Sequence, residues 1–378
     1  MSIGLYIHIP FCIKKCNYCD FVSYPIGDVQ ADSYLHALEG EMELYHQLLK
    51  ADDLSLETLY IGGGTPTCLT GPQLRRVLQA SRLFFDWLPE NEVTVEANPG
   101  TLDIAKLEVL QEEGVNRLSL GVQSFSPGHL ARMGRPHGIR EVKEAVQMVR
   151  EAGIKNLSLD LIYGLPEQTL QEWRHTLSEA LFLEPEHLSA YGLKIETGTP
   201  WGHLEVRGEL EPADQDLARL MYDEVQEQCK KRGYRHYEIS NFAKPGFEAR
   251  HNLRYWHNHS YLGLGVAAAS YMNQRRWTNV SLLKDYETLL AGRKRPVAEE
   301  WSLDLTDEMA ETVLLGLRTL DGVALDRFQE RFGIDLQAIF AGPVEKMMAA
   351  GLLTIDNQHL KLTPAGLPVA NLVFEAFV

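Results

Sequence analysis

Short apolar or β-branched runs alternate with longer amphipathic stretches through the first two hundred residues, and this alternation restricts the fold more than any other feature of the chain. Residues 5–9, 58–61, 93–96, 117–121, 157–161 and 187–191 read as six strands. Between them, helices are expected over 31–49, 70–87, 103–113, 139–153 and 169–183. Thr70 with Gln73 and Thr169 with Glu172 are spaced as capping boxes, and Ser126 before Pro127 is a further helix start. Strands joined in succession by helices pair in parallel, because the crossover must return the chain to the same end of the sheet. Little period-two alternation is visible in these strands, as expected if both faces are buried. An open doubly wound sheet and a barrel both satisfy the pattern. The position of the unusual residues favours a barrel: the cysteine cluster, Gly62–Pro66, Glu96, Gln123 and Asp160 lie at or just after strand C-termini on several strands. In a barrel those ends converge on one mouth.

The organisation expected is an α/β partial (β/α)6 barrel over residues 1–200, then a barrel extension with ligand-facing segments over 201–300. A C-terminal α+β module over 301–378 completes the chain. Three helices followed by a hairpin centred on Asp356-Asn357-Gln358 give that module a winged-helix-like pattern. From residue 300 onward, however, five basic side chains face twelve acidic ones, the wrong sign for a phosphate backbone. A packing or partner-docking module is expected. Over the whole chain 52 acidic against 36 basic side chains give −16, which argues against nucleic acid or anionic lipid as a general partner. The N-terminus has no signal-peptide pattern, and no run approaches the roughly 20 apolar residues of a membrane span, so a cytoplasmic location is expected.

Of the five cysteines, Cys12, Cys16 and Cys19 fall within eight residues, directly after the first strand, as C-x3-C-x2-C. A disulfide framework does not suit so large a chain with so few cysteines. Structural zinc would need a fourth ligand, for which His8 or Asp20 would complete a cramped site. Three thiolates around an iron-sulfur cube leave one iron open to a small molecule. Cys68 and Cys229 read as small buried hydrophobes. Gly62-Gly63-Gly64-Thr65-Pro66 lacks both the P-loop lysine and the G-x-G-x-x-G spacing, so it does not read as a nucleotide loop. Its glycines permit close backbone approach, suited to an amino-acid head group or to a tight turn alone.

YIHIPFCIKKCNYCDF, IGGGTPT, VEANPGT, GVNRLSLGVQSF, Arg135-Pro136-His137, LDLIYGLPEQT, HLSAYGL, YEISNFAKPG and HNLRYW together resemble the radical S-adenosylmethionine (SAM) proteins related to oxygen-independent coproporphyrinogen III oxidase, and within them the heme chaperone subgroup. The resemblance spans nearly the whole chain. It implies a [4Fe-4S] cluster on Cys12, Cys16 and Cys19, with SAM chelating the fourth iron. It further implies Gly63, Gly64 and Thr65 along the methionine moiety, Glu96 accepting from a SAM hydroxyl or amino group, and Gln123 and Asp160 on the nucleoside. Arg135 would pair with the SAM carboxylate, Tyr6 would stand near the cluster and Tyr18 near the adenine.

Two departures separate the chain from the oxidases: Phe21 stands where they carry a fourth cysteine just beyond the cluster loop, and little precedes Cys12. Both argue against coproporphyrinogen decarboxylation and for heme binding and transfer. His251, Asn252, Tyr255 and Trp256 match a segment associated with heme, the alternative being a hydrogen-bonded core segment around His257 and His259. Ala269 stands where relatives commonly have histidine. The partners implied are heme, an apo-hemoprotein acceptor such as a membrane respiratory protein, an electron donor and a second copy of the chain.

Overall fold

The computed structural model describes residues 2–50 and 54–377. Six strands, Ile3–Ile9 (β1), Ser55–Gly63 (β2), Asp86–Ala97 (β3), Arg117–Gln123 (β4), Asn156–Tyr163 (β5) and His187–Gly192 (β6), lie in chain order, each parallel to the next. The later chain extends this sheet at both edges. Arg235–Glu238 (β7) and Asn241–Ala243 (β8) form a hairpin laid antiparallel beside β6. Tyr261–Leu264 (β9) runs parallel along β1, followed outward by Ala269–Met272 (β10), Arg275–Asn279 (β11) and Val297–Ser302 (β12). The resulting twelve-stranded sheet does not pair β7 with β12, so the barrel is partial, as expected. β1 and β4 are buried along almost their whole length, which explains their weak alternation.

Thr70 accepts from the Gln73 amide and the Gln73 side chain answers to the Thr70 amide, and Thr169 and Glu172 do the same. The helix Gly71–Phe84 stops earlier than its composition suggests. Phe85 is buried, and Trp87 pairs across to Leu56 at the start of the long strand β3. Sheet pairing here overrides a run of apolar residues that would also have suited a helix.

Residues 305 to 377 build a second core around Val313, Phe328, Leu336, Leu360 and Val373. Among the described residues five helices, Leu305–Gly316, Leu325–Phe332, Leu336–Ile339, Ala341–Ala349 and Ala370–Phe374, accompany a small sheet of Val323–Ala324 (β13), Leu353–Asp356 (β14) and His359–Leu362 (β15). The expected hairpin forms, with Asn357 and Gln358, both at positive φ, as a two-residue turn and Asp356 as the last residue of β14.

One buried carboxylate ties the β9 edge to the helix Asp28–Leu48. Glu41 accepts from the Gly265 amide at 2.7 Å, Asn279 Nδ2 at 2.7 Å and the Tyr286 hydroxyl at 2.6 Å. Burial pushes its carboxyl up to about 7 against these donors, and burial likewise raises Glu96 to about 7. A native carboxyl held above its unfolded value of 4.5 contributes stability that is fully present below 4.5 and lost as pH rises through 7. The free energy of unfolding is therefore expected to fall between about pH 5 and about pH 8, by a few kcal/mol, and denaturation midpoints with it. Glu41→Gln should flatten that slope; an unchanged slope would show that Glu41 does not titrate in this window.

Candidate functional site

At the C-terminal ends of β1 to β5 the chain assembles one mouth. After β1, residues 11–12 pair briefly with 24–25, which folds Cys12, Cys16 and Cys19 into a loop across it. Thr65 is the hub on the adjoining turn: its amide donates to the Phe11 carbonyl at 2.7 Å and its hydroxyl lies 3.6 Å from Cys12 Sγ. Asn98 Nδ2, just after β3, donates to the same hydroxyl at 2.8 Å. Arg135 reaches in from the far side. Its Nη1 donates to Cys16 Sγ at 3.4 Å, and its Nη2 donates to the Gly121 carbonyl at 2.6 Å and to Asn98 Oδ1. A guanidinium is thereby fixed against the cysteine loop. Burial pushes the Cys12 thiol up and Cys19 up to about 11, while Arg135 acts on Cys12 in the opposite direction. The donor set suits an electron-rich cluster, which needs thiolates and a nearby cation.

Gly63 occupies a conformation reserved for glycine, φ +109°, and a Cβ there would stand 2.6 Å from the His8 imidazole. A Cβ on Gly64 would meet the Phe11 carbonyl at 2.7 Å. The glycines are therefore required by close packing of this turn, Gly63 against His8 of β1 and Gly64 against Phe11 just before the cysteines. Glu96 accepts from the Gly63 amide at 3.0 Å and from Tyr60 Oη at 2.6 Å. Asp160 accepts from Ser119 Oγ, 2.9 Å at its nearer oxygen, and from Ser158 Oγ at 3.2 Å, and burial raises its carboxyl. Gln123, at φ +67°, ends β4 at a bulge. Tyr18 packs on Trp201, with ring centres 6.0 Å apart. His8 is committed elsewhere, to the Tyr6 hydroxyl at 3.0 Å and the Val22 carbonyl at 2.9 Å, so it is not poised to complete a zinc site. Cys229 is buried as expected, whereas Cys68 is half-buried on the turn after Thr65.

Sequence reasoning did not find Asn98, Ser119, Ser158 or Tyr60. Asn98 had a signal, standing two residues beyond Glu96 at the same strand end. The serines are small polar residues inside buried strands, which become legible as ligands of Asp160 only once β4 and β5 are aligned.

The segment HNLRYW forms the helix Arg250–Trp256, docked across the opposite end of the sheet. The amides of Arg250 and His251 both donate to the Glu92 carboxylate at 3.0 Å, and Arg254 pairs with Glu57. His251 is 1% exposed, with Nδ1 on Thr58 Oγ1 and Nε2 on Tyr255 Oη, each at 2.8 Å. It stacks on Tyr60, which stacks on Tyr6, and burial lowers its pKa to about 3. In this arrangement His251 is a core residue whose two ring nitrogens are taken by Thr58 and by the half-buried Tyr255. Axial ligation by His251 would require breaking one of these bonds. Asn252 is half-buried on the same helix. Trp256, under the Arg318 guanidinium at 4.6 Å, instead lines a cavity with His257 and His259. Ala269 is exposed at the start of β10.

Residues 6–180 match the model of the Radical SAM superfamily, and residues 303–369 match that of the HemN C-terminal domain. The heme chaperone HemW of Bacillus subtilis is 39% identical over 374 residues, spanning 99% of this chain and 98% of its own. HemW of Escherichia coli is 33% identical over 379 residues, spanning 100% and 98%. The solved structure of coproporphyrinogen III oxidase (HemN) from Escherichia coli aligns with a TM-score of 0.87 at 24% identity, covering 100% of this chain and 90% of that one. That likeness speaks for the fold, and the partial barrel with its accessory module agrees with it. With full-length identity above the level at which relatives share a family, and with its cysteine loop, glycine turn and buried arginine on one barrel mouth, the chain belongs to the HemW family of the radical SAM superfamily.

Proposed function

We propose that this protein is a heme chaperone, binding heme and handing it to an apo-hemoprotein, with a [4Fe-4S] cluster and SAM at the cysteine mouth. The observation that carries the reading is the 39% identity to a HemW of Bacillus subtilis over 99% of the chain. Cys12, Cys16 and Cys19 would ligate three irons, and Thr65 and Arg135 would hold the loop against them. When bound, the cluster supplies the electron for reductive cleavage of SAM. Gly63 and Gly64 would admit the methionine backbone, Glu96 would accept from SAM, and Asp160 and Gln123 would face the nucleoside, with Tyr18 beside the adenine. The Arg135 guanidinium, bonded to Cys16 Sγ, would also pair with the SAM carboxylate.

Phe21 supports the chaperone over the oxidase: its side chain is 60% exposed at the position of the oxidases' fourth cysteine and offers no thiol. Among the described residues no helix is long and apolar enough to cross a membrane. A cytoplasmic protein delivering heme to a membrane respiratory acceptor, with a separate electron donor and a second copy as partners, completes the reading.

Anaerobically reconstituted protein is expected to bind hemin, to pass it to an apo-hemoprotein, and to leave coproporphyrinogen III unchanged in the presence of SAM and reductant. Two methionines released per protoporphyrinogen formed would establish the oxidase instead. Tetrahedral zinc without iron or sulfide would remove the cluster.

A further inference from the structure

A cavity of about 990 Å³ separates the N-terminal end of the sheet from the C-terminal module. It lies at the far end of β1 from the cysteines, since Ser2 and Glu57 form part of its wall while Cys12 follows the opposite end of that strand. Its volume is at the upper end of the ~300–1,000 Å³ typical of small-molecule sites, room enough for a flat macrocycle. Trp256 and Tyr271 line it from the barrel side, and Phe328 and His359 from the module. The His257 and His259 rings stand on the wall with centres 5.6 Å apart.

We propose that this cavity is the heme site, with an imidazole of the His257/His259 pair as axial ligand and Arg327 as the partner of a heme carboxylate. The proposal rests on the heme-chaperone reading and locates the heme that reading requires. No hydrogen bond engages either ring among the described residues, in contrast to His251, so a ring nitrogen is available for iron without breaking the core.

The other cations on the wall are already used: Arg254 pairs with Glu57, and Arg331 with Glu308. Arg327 is exposed and has no ion pair among the described residues. Glu57, Glu308 and Asp321 on the wall are each paired with an arginine, which leaves Arg327 as the cation free for a ligand among the described residues. One free guanidinium suits a macrocycle with carboxylates at its edge better than a phosphate-rich nucleotide. Among the described residues the buried Trp256 indole N-H has no hydrogen-bond partner.

The test is hemin titration of the full-length, anaerobically reconstituted protein, read by the Soret difference spectrum and by the EPR signal of ferric heme. Wild type, His257→Ala/His259→Ala, Arg327→Ala and Tyr255→Phe are compared. Both histidines are exposed, so the double variant should keep the wild-type thermal midpoint. Its hemin dissociation constant is expected to rise on the order of tenfold or more, with a changed axial-ligand EPR signature. Arg327→Ala should weaken binding by a smaller factor and leave the EPR signature alone. Tyr255→Phe, which frees His251 Nε2, should leave both readouts unchanged. A double variant with wild-type affinity and EPR signature overturns the cavity assignment while the heme-chaperone reading stands. Failure of wild type to bind hemin overturns both.

Discussion

Gly63→Ala is expected to cost the protein about 2–5 kcal/mol of stability and to abolish SAM binding. The backbone at +109° lies outside what an alanine adopts without strain, and the new methyl would enter the His8 ring. His8 cannot step aside, because its two nitrogens are held by Tyr6 and by the Val22 carbonyl beyond the cysteine loop. Relief would move the loop, and with it the Gly63 amide that donates to Glu96. Gly71→Ala is the control. Gly71 opens a helix, and a Cβ there makes only an ordinary 3.5 Å contact with Val109, so stability should be unchanged or up to about 1 kcal/mol higher. Urea midpoints and equilibrium dialysis with SAM measure both effects. A Gly63→Ala protein with native stability and SAM affinity would show that the turn is not under this constraint.

Arg135→Met should leave the barrel folded but deplete the mouth of iron and sulfide. A single guanidinium holds the Cys16 thiol, Asn98 and the Gly121 carbonyl together, and Asn98 in turn holds Thr65. Charge-assisted bonds of this kind contribute about 1.5–3 kcal/mol, so binding at the mouth should weaken by roughly ten- to a hundredfold. Arg135→Lys keeps the charge but not the fork and should recover only part of the loss. Iron and sulfide analysis after anaerobic reconstitution provides the measurement. Full cluster content in Arg135→Met would restrict the residue to a packing role.

The parts of the fold that were legible in the sequence were those governed by neighbouring residues. The capping boxes at Thr70 and Thr169 and the turn at Asn357-Gln358 appear where their local chemistry puts them. The placing of Cys12, Gly63, Glu96, Gln123 and Asp160 toward the C-terminal ends of their strands was also readable, because a barrel gathers strand ends at one mouth. The heme segment was harder. His251, His257 and His259 sit within nine residues of similar composition, and nothing local distinguishes the imidazole that bonds Thr58 from the two that face a cavity. That difference is set by Glu92 and Thr58, about 160 and 190 residues away in the chain, and by a module that closes the space from the other side. The early end of the helix at Phe84 has the same origin, since the pairing of Trp87 with Leu56 lies outside any local window.

The position of β1 also orders events in time. It is an interior strand, with β2 on one side and β9 on the other, and Ile7 is in register with Leu264. Bringing those residues together closes a loop of more than two hundred and fifty residues, a slow kind of contact to form. At a synthesis rate of about 5–20 residues per second, roughly ten to fifty seconds separate the emergence of the cysteine loop from that of its outer neighbour. During that interval the three thiols stand on an unfinished sheet. Synthesis and closure of the sheet edge are thereby placed in sequence, and a reducing environment is needed from the appearance of the cysteine loop onward.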